Sequence, residues 1–216
     1  MSSFPGSPRL IKGGIVLIDP NSGAVQRIIA LQYNPDTLSR TLQVQGVGEK
    51  ADRSEALRLK GPAIETFKVE AEIDATDQLE VSDQIAVQVG LYPQLAALET
   101  LIYPTSSELI TNNTLAHAGT LEILPMETPL ALFIWSRNRI VPVRLTEFSV
   151  TEEAFDPTLN PIRAKVSLGM RVLSVDDLGF DNQGGNLFMV YLQQKEQLAA
   201  MAPAATLGAL GITSIP

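Results

Sequence analysis

Three pairs of closely spaced carboxylates carry most of the chain's capacity for acid–base chemistry: Glu70/Glu72, Glu152/Glu153 and Asp176/Asp177. Two carboxylates that flank a cleft can hydrolyse a glycoside, one as acid and one as base or nucleophile. The surroundings of these pairs argue otherwise. Glu70 and Glu72 alternate with Phe67, Val69, Ala71 and Ile73, which puts them on the wet face of an amphipathic strand. Glu152 and Glu153 are adjacent, and adjacent strand residues point to opposite faces. The single histidine, His117, lies in a polar stretch that reads as a surface loop. One histidine and no cysteine make a metal site or a Ser-His triad hard to assemble. The lack of cysteine also rules out disulfides and thiolate ligands. No phosphate-binding glycine motif stands in a strand-to-helix setting, since Gly46-Val47-Gly48 is only a fragment of one. Phe133 and Trp135 could stack a sugar or a base, although aromatic pairs at a strand end more often pack a core or an interface. Arg137 and Arg139 flank the next turn, where they could meet acidic groups of another chain. The sequence therefore predicts no catalytic residue, no metal ligand and no cofactor site, and points away from an enzyme.

The elements that would position these groups are mostly strands. Ile15–Ile18 and Val25–Gln32 flank the turn cluster Asp19-Pro20-Asn21-Ser22-Gly23 and suggest a hairpin. Leu38, Leu42 and Val44 alternate with polar residues, and ETFKVEAEID is the clearest period-two segment. Ser82 is positioned to cap a short helix through Val89, and Pro93 suits the start of a second helix. Residues 105–119 read as a loop. An apolar run, Pro129–Trp135, turns through Ser136-Arg137-Asn138 into a strand whose apolar parity switches near Thr146-Glu147, which predicts a β-bulge. Ile162 through Val172 alternate again, and a helix is expected from Leu187 to about Met201.

This pattern predicts a mainly β fold with inserted helices, an antiparallel barrel or sandwich in one domain. It gives a loose arm over 1–10, a β domain over 11–178 with a helical insertion near 82–103, and a C-terminal helix and tail over 179–216. The composition is that of a globular chain, 45% hydrophobic and 19% charged. A net charge of −8 disfavours nucleic acid as the main ligand. No run of about 18 apolar residues suggests a membrane span. Synthesis and folding are expected in the cytoplasm, since MSSFPGSPRLIKGG lacks an apolar signal core.

Two stretches stand out as contact candidates. The first is the charged segment framed by Gly46, Gly48 and Gly61, with Glu49, Lys50, Asp52, Arg53, Glu55 and Arg58, too long for an ordinary connection. The second is the turn Phe155-Asp156-Pro157-Thr158-Leu159-Asn160-Pro161. Its two prolines fix φ and bias the preceding residues toward extended geometry, which aims Phe155 and Leu159 and launches the next strand. The turn brings shape and no reactive group beyond an ordinary carboxylate.

With YNPDTLSRTLQ, LYPQLAALETLIYP and FDPTLNPIRAKVSLGMRVLS in view, the chain resembles the tube and baseplate-hub adaptor proteins of phage-tail-like contractile injection systems, over roughly residues 10–175. The nearest resemblance is to the tube-like proteins that often carry a C-terminal LysM module. The stretch beyond residue 175 is too short for that module. The resemblance implies a tail-tube fold, a structural role without enzyme activity, and a ring of six copies. That ring would join the inner tube to the spike or hub, within a particle released from the cell or docked at a membrane. The implied partners are other copies of the chain, the inner tube protein, the spike or hub protein and further baseplate components. Glu49 to Arg58 would then touch the next ring, and Phe155 to Pro161 would lie at a subunit interface. An inner tube subunit or a tube initiator fits the same resemblance. From the residues alone, a monomeric glycan- or peptidoglycan-binding β domain stays open.

Overall fold

The computed structural model describes residues 10–46, 58–117 and 128–215. Seven strands form one antiparallel sheet: β1 Gly14–Ile18, β2 Val25–Ala30, β3 Leu38–Gln43, β4 Ile64–Asp74, β5 Leu130–Ser136, β6 Arg139–Phe155 and β7 Pro161–Val172. Their order is β2-β1-β5-β6-β7-β4-β3. The mainly β expectation holds, and the sheet is not closed into a barrel: among the described residues no ladder joins β2 to β3.

The sheet is nevertheless tightly curled. Its two edges are joined by residues 31–37 alone. A flat sheet of this order would be about 29 Å wide, the limit of what that connection could span when fully extended. The connection is not stretched: Leu31 is buried, and the Gln32 side chain donates to the Asp74 carbonyl at 2.7 Å and accepts from the Asp74 amide at 2.9 Å. Curling brings Phe67 of β4 to 5.3 Å from Phe133 of β5, ring centre to ring centre, although two strands separate them in the sheet.

The concave face holds the core. Ile15, Phe67, Val69, Phe133, Val141, Val143, Val166, Leu168 and Met170 are buried together. Two helices cap this face, α3 (Tyr92–Glu99) through Leu95 and Leu98, and α6 (Gln183–Ala200) through Phe188 and Tyr191. Strand β5 is buried on both faces. Ala131 and Phe133 look inward, while Leu130 and Leu132 pack with Ile18, Leu187 and Leu178, the last from α5 (Val175–Leu178). Burial on both sides explains why LALFIW reads as an unbroken apolar run instead of alternating.

The expected bulge is present. Register shifts between Leu145 and Glu147, so that Leu145 faces Met170 and Glu147 faces Gly169. The two expected hairpins also form, β1–β2 and β5–β6. In the first, Asp19 accepts from the amides of Asn21 and Ser22.

The helical region is larger than the pattern suggested. Among the described residues, four helices, α1 (Thr76–Glu80), α2 (Gln84–Val89), α3 and α4 (Ser106–His117), lie between β4 and β5. The cap of α2 is Asp83, whose carboxylate accepts from the Ile85 and Ala86 amides; Ser82, the expected cap, sits before it at φ 55°. The loop expected over 105–119 is helical through His117. Thr105 and Glu108 bond reciprocally, Glu108 accepting from the Thr105 amide at 2.9 Å, the arrangement of a capping box. Helix α6 begins at Gln183, four residues before its expected start, with Asn182 accepting from the Gly184 amide. Among the described residues no helix is long and apolar enough to cross a membrane.

Candidate functional site

The β6–β7 turn is a hydrogen-bonded knot built on one carboxylate. Asp156 Oδ1 accepts from the Thr158 amide at 2.7 Å, the Thr158 hydroxyl at 2.8 Å and the Asn160 amide at 2.9 Å. Its Oδ2 accepts from Asn160 Nδ2 at 2.9 Å. Burial works against the charge on Asp156, but the bonds from Asn160 and Thr158 outweigh it and bring the carboxyl down to about 2. The knot holds Leu159 at φ 68°, a left-handed backbone that a leucine rarely adopts, with its side chain 72% exposed. Phe155 is also exposed, and Pro161 is buried.

The turn is docked on the helical region. Asn160 Nδ2 donates to the Gln88 carbonyl at 3.1 Å, and the Leu91 amide donates to the Pro161 carbonyl at 2.9 Å. Gly90 fits between the two at φ 56°, where a Cβ would strike the Pro161 carbonyl. Helix α2 is thereby fixed beside Leu159. Of its six residues only Ala86 is buried, while Ile85, Val87 and Val89 face outward.

The other contact candidate leaves from the far side of the sheet. Gly46 bridges Leu59, and the Gln45 side chain donates to the Pro62 carbonyl at 2.9 Å, so the β3–β4 pairing reaches Gly46 and Leu59, the two ends from which the segment departs. Arg58 is exposed. Glu49, Lys50, Asp52, Arg53 and Glu55 lie outside the described residues.

The groups weighed for chemistry serve the sheet. Glu72 lies 3.6 Å from Arg163 and Glu153 lies 2.9 Å from Lys165, cross-strand ion pairs on the convex face. Glu152 sits opposite Ala164 and Glu153 opposite Arg163, so the adjacent pair diverges as expected. Asp177 caps Ser174 and pairs with Arg171 at 2.8 Å. His117 ends α4 instead of lying in a loop. Phe133 is buried between Phe67 and Trp135, which removes it as a sugar-stacking surface. Arg139 lies over the Phe67 ring at 5.5 Å and is used within the chain.

Two features were not anticipated. The first is Glu65, 3% exposed on β4, which accepts from the Tyr191 hydroxyl at 2.9 Å and from Lys195 Nζ at 2.6 Å. It fastens α6 to the concave face, and burial holds the Tyr191 hydroxyl above its ordinary value. The sequence signal was that Glu65 is the one glutamate of ETFKVEAEID to share parity with Phe67 and Val69. The second is the exposure of both edge strands. Val25 and Ile28 on β2, and Leu42 on β3 with Val44 just beyond it, are all exposed. The alternation in β3 does mark its inward face, but only Leu38 packs against the core there.

No family model and no curated protein matches the chain. Among solved structures, a chain described as "Tail of empty GTA particle computed with helical refinement, C6 symmetry" matches at 15% identity, covering 74% of this chain and 90% of that one, with a TM-score of 0.29.

Proposed function

We propose that this chain is a structural subunit of a contractile injection system. Its copies join edge to edge into a closed ring of six that connects the inner tube to the baseplate hub or spike. The observation that carries the reading is the state of the two sheet edges. Among the described residues, β2 and β3 each leave one side of the strand unpaired and display apolar side chains beside it. Open apolar edges invite uncontrolled pairing in a monomer and are normally blunted or covered. Joining β2 of one copy to β3 of the next uses two different surfaces, and such a head-to-tail contact makes a ring when the rotation closes. The resemblance of YNPDTLSRTLQ and FDPTLNPIRAKVSLGMRVLS to tube and hub adaptors gives this ring its place, and the role needs no catalysis. Partners are further copies, the inner tube protein and hub components.

Negative-stain imaging of the concentrated chain tests this. Rings of uniform diameter are expected, and an edge variant, Ile28→Lys, is expected to stay single while keeping its circular dichroism spectrum. A wild-type chain that remains single both alone and with tube and hub proteins would overturn the reading. Rings that extend into tubes unaided would place the chain as an inner tube subunit instead.

A further inference from the structure

Every neighbouring pair in the sheet is antiparallel: β2 with β1, β1 with β5, β5 with β6, β6 with β7, β7 with β4 and β4 with β3. Direction therefore alternates across the seven strands, and the two outermost, β2 and β3, run the same way. They are also consecutive in the chain, joined by residues 31–37.

Two parallel strands of one chain lie side by side only if the chain returns from the end of the first to the start of the second, a crossover of about a dozen residues or more. Residues 31–37 are fewer, and they are tied down where they leave β2. Asn34 accepts from the Gly13 amide at 2.9 Å and donates to the Ile11 carbonyl at 2.8 Å, beside the head of β1. Gln32 is fastened to the backbone of Asp74, the last residue of β4, at the end that lies toward the start of β3. The chain thus leads on from β2 into β3 instead of doubling back along it. The connection is too short for one copy to close the sheet with its own two edges.

We infer that the joint between copies is a parallel strand pair, with β3 of one copy beside β2 of the next and both running in the same direction. The inference rests on the ring reading, and a second copy supplies what the short connection denies the single chain, because no link has to cross the joint. A sheet that continues around a ring carries its strands partly along the ring axis. Rotation about that axis preserves their sense, so the two like-directed edges meet as parallel neighbours. A two-fold dimer that continues the sheet would instead pair like edges, β2 with β2 or β3 with β3, antiparallel. The ring is then polar. All its β6–β7 turns and all the exits from β4 into α1 fall toward one rim, and all its β5–β6 turns and Gly46–Leu59 bridges toward the other. Two unlike rims let one ring hold two different neighbours at once.

Disulfide trapping reads the direction. Val25, Ile28 and Ala30 on β2, and Ser39, Thr41 and Gln43 on β3, are exposed on the convex face. Full-length double variants combine Val25→Cys, Ile28→Cys or Ala30→Cys with each of Ser39→Cys, Thr41→Cys and Gln43→Cys. Unchanged circular dichroism confirms the fold of each, and oxidised samples are run without reductant, since only cysteines at close Cα distance bridge. The preferred β3 partner should shift toward Gln43 as the β2 cysteine moves from Val25 through Ile28 to Ala30. A preference that shifts toward Ser39, or no bridge in any combination although rings form, overturns the inference. The ring reading is judged apart, by whether the cysteine-free wild-type chain forms rings. Rings with an antiparallel pattern of bridges would leave that reading standing and remove this one.

Discussion

Asp156 shows how one side chain can set the shape of a turn. Its carboxylate gathers four bonds from Thr158 and Asn160, and these hold its pKa at about 2. A folded pKa below the unfolded value adds stability above the unfolded pKa, and that stability is lost as pH falls through the folded one. The turn should therefore stay knotted at pH 4 and loosen only as the solution approaches pH 2. An NMR titration of the Asp156 carboxyl should give a midpoint near 2, with the Asn160 side-chain amide shifting in step; a midpoint at the ordinary aspartate value would contradict the knot. Glu65 makes a different case. Its partners Tyr191 and Lys195 belong to α6, so Tyr191→Phe should lower unfolding free energy by about 1.5–3 kcal/mol, the worth of a hydrogen bond to a charged group. Urea melts would show it, and an unchanged midpoint would mean that the Tyr191 hydroxyl adds nothing to the hold that Lys195 and the apolar contacts of Phe188 already give α6. Of these two residues, only Asp156 was legible in advance. Asp-Pro and Asn-Pro announce a turn locally, whereas the pairing of Glu65 with Tyr191 spans 126 positions and appears only when the sheet curls.

At the scale of elements, the strands were readable because each carries its own pattern. The parity switch in β6 marked its bulge, and the period of β4 and β7 marked the concave face. The helices were harder. Helix α4 buries nothing, so it has no apolar stripe to betray it; only its Thr105–Glu108 capping pair signals its start. The first turn of helix α6 holds Gly184 and Gly185, which sequence alone suggests as a break. The structure explains them by close approach, since a Cβ on Gly185 would collide with the Gly179 carbonyl. Gly185→Ala should therefore cost at least about 2–3 kcal/mol by overpacking against backbone, while Gly46→Ala, with open space around it, should stay within about 0.5 kcal/mol. Thermal or urea denaturation of the two variants separates them, and equal effects would contradict the packing described at the start of α6.

The whole molecule is a curled sheet with a closed interior and two open edges. The interior accounts for its stability, since Phe67, Phe133 and Met170 lie deep among the strands and caps. Edge order was not legible in the sequence. Which strands end up outermost depends on long-range pairing, and β2 and β3, consecutive in the chain, finish at opposite edges. On the proposed reading, that placement gives the β domain two joinable sides. Because the chain has no cysteine, the joint can be probed cleanly. A variant with Ile28→Cys on β2 and Thr41→Cys on β3, both exposed on the convex face of the sheet, oxidised at high concentration and run without reductant, should give a ladder of covalent species ending at six times the 23.3 kDa chain mass, while each single substitution should stop at a dimer. A double variant that yields only monomer or dimer under conditions where the wild-type chain is concentrated with its tube and hub partners would contradict edge-to-edge closure.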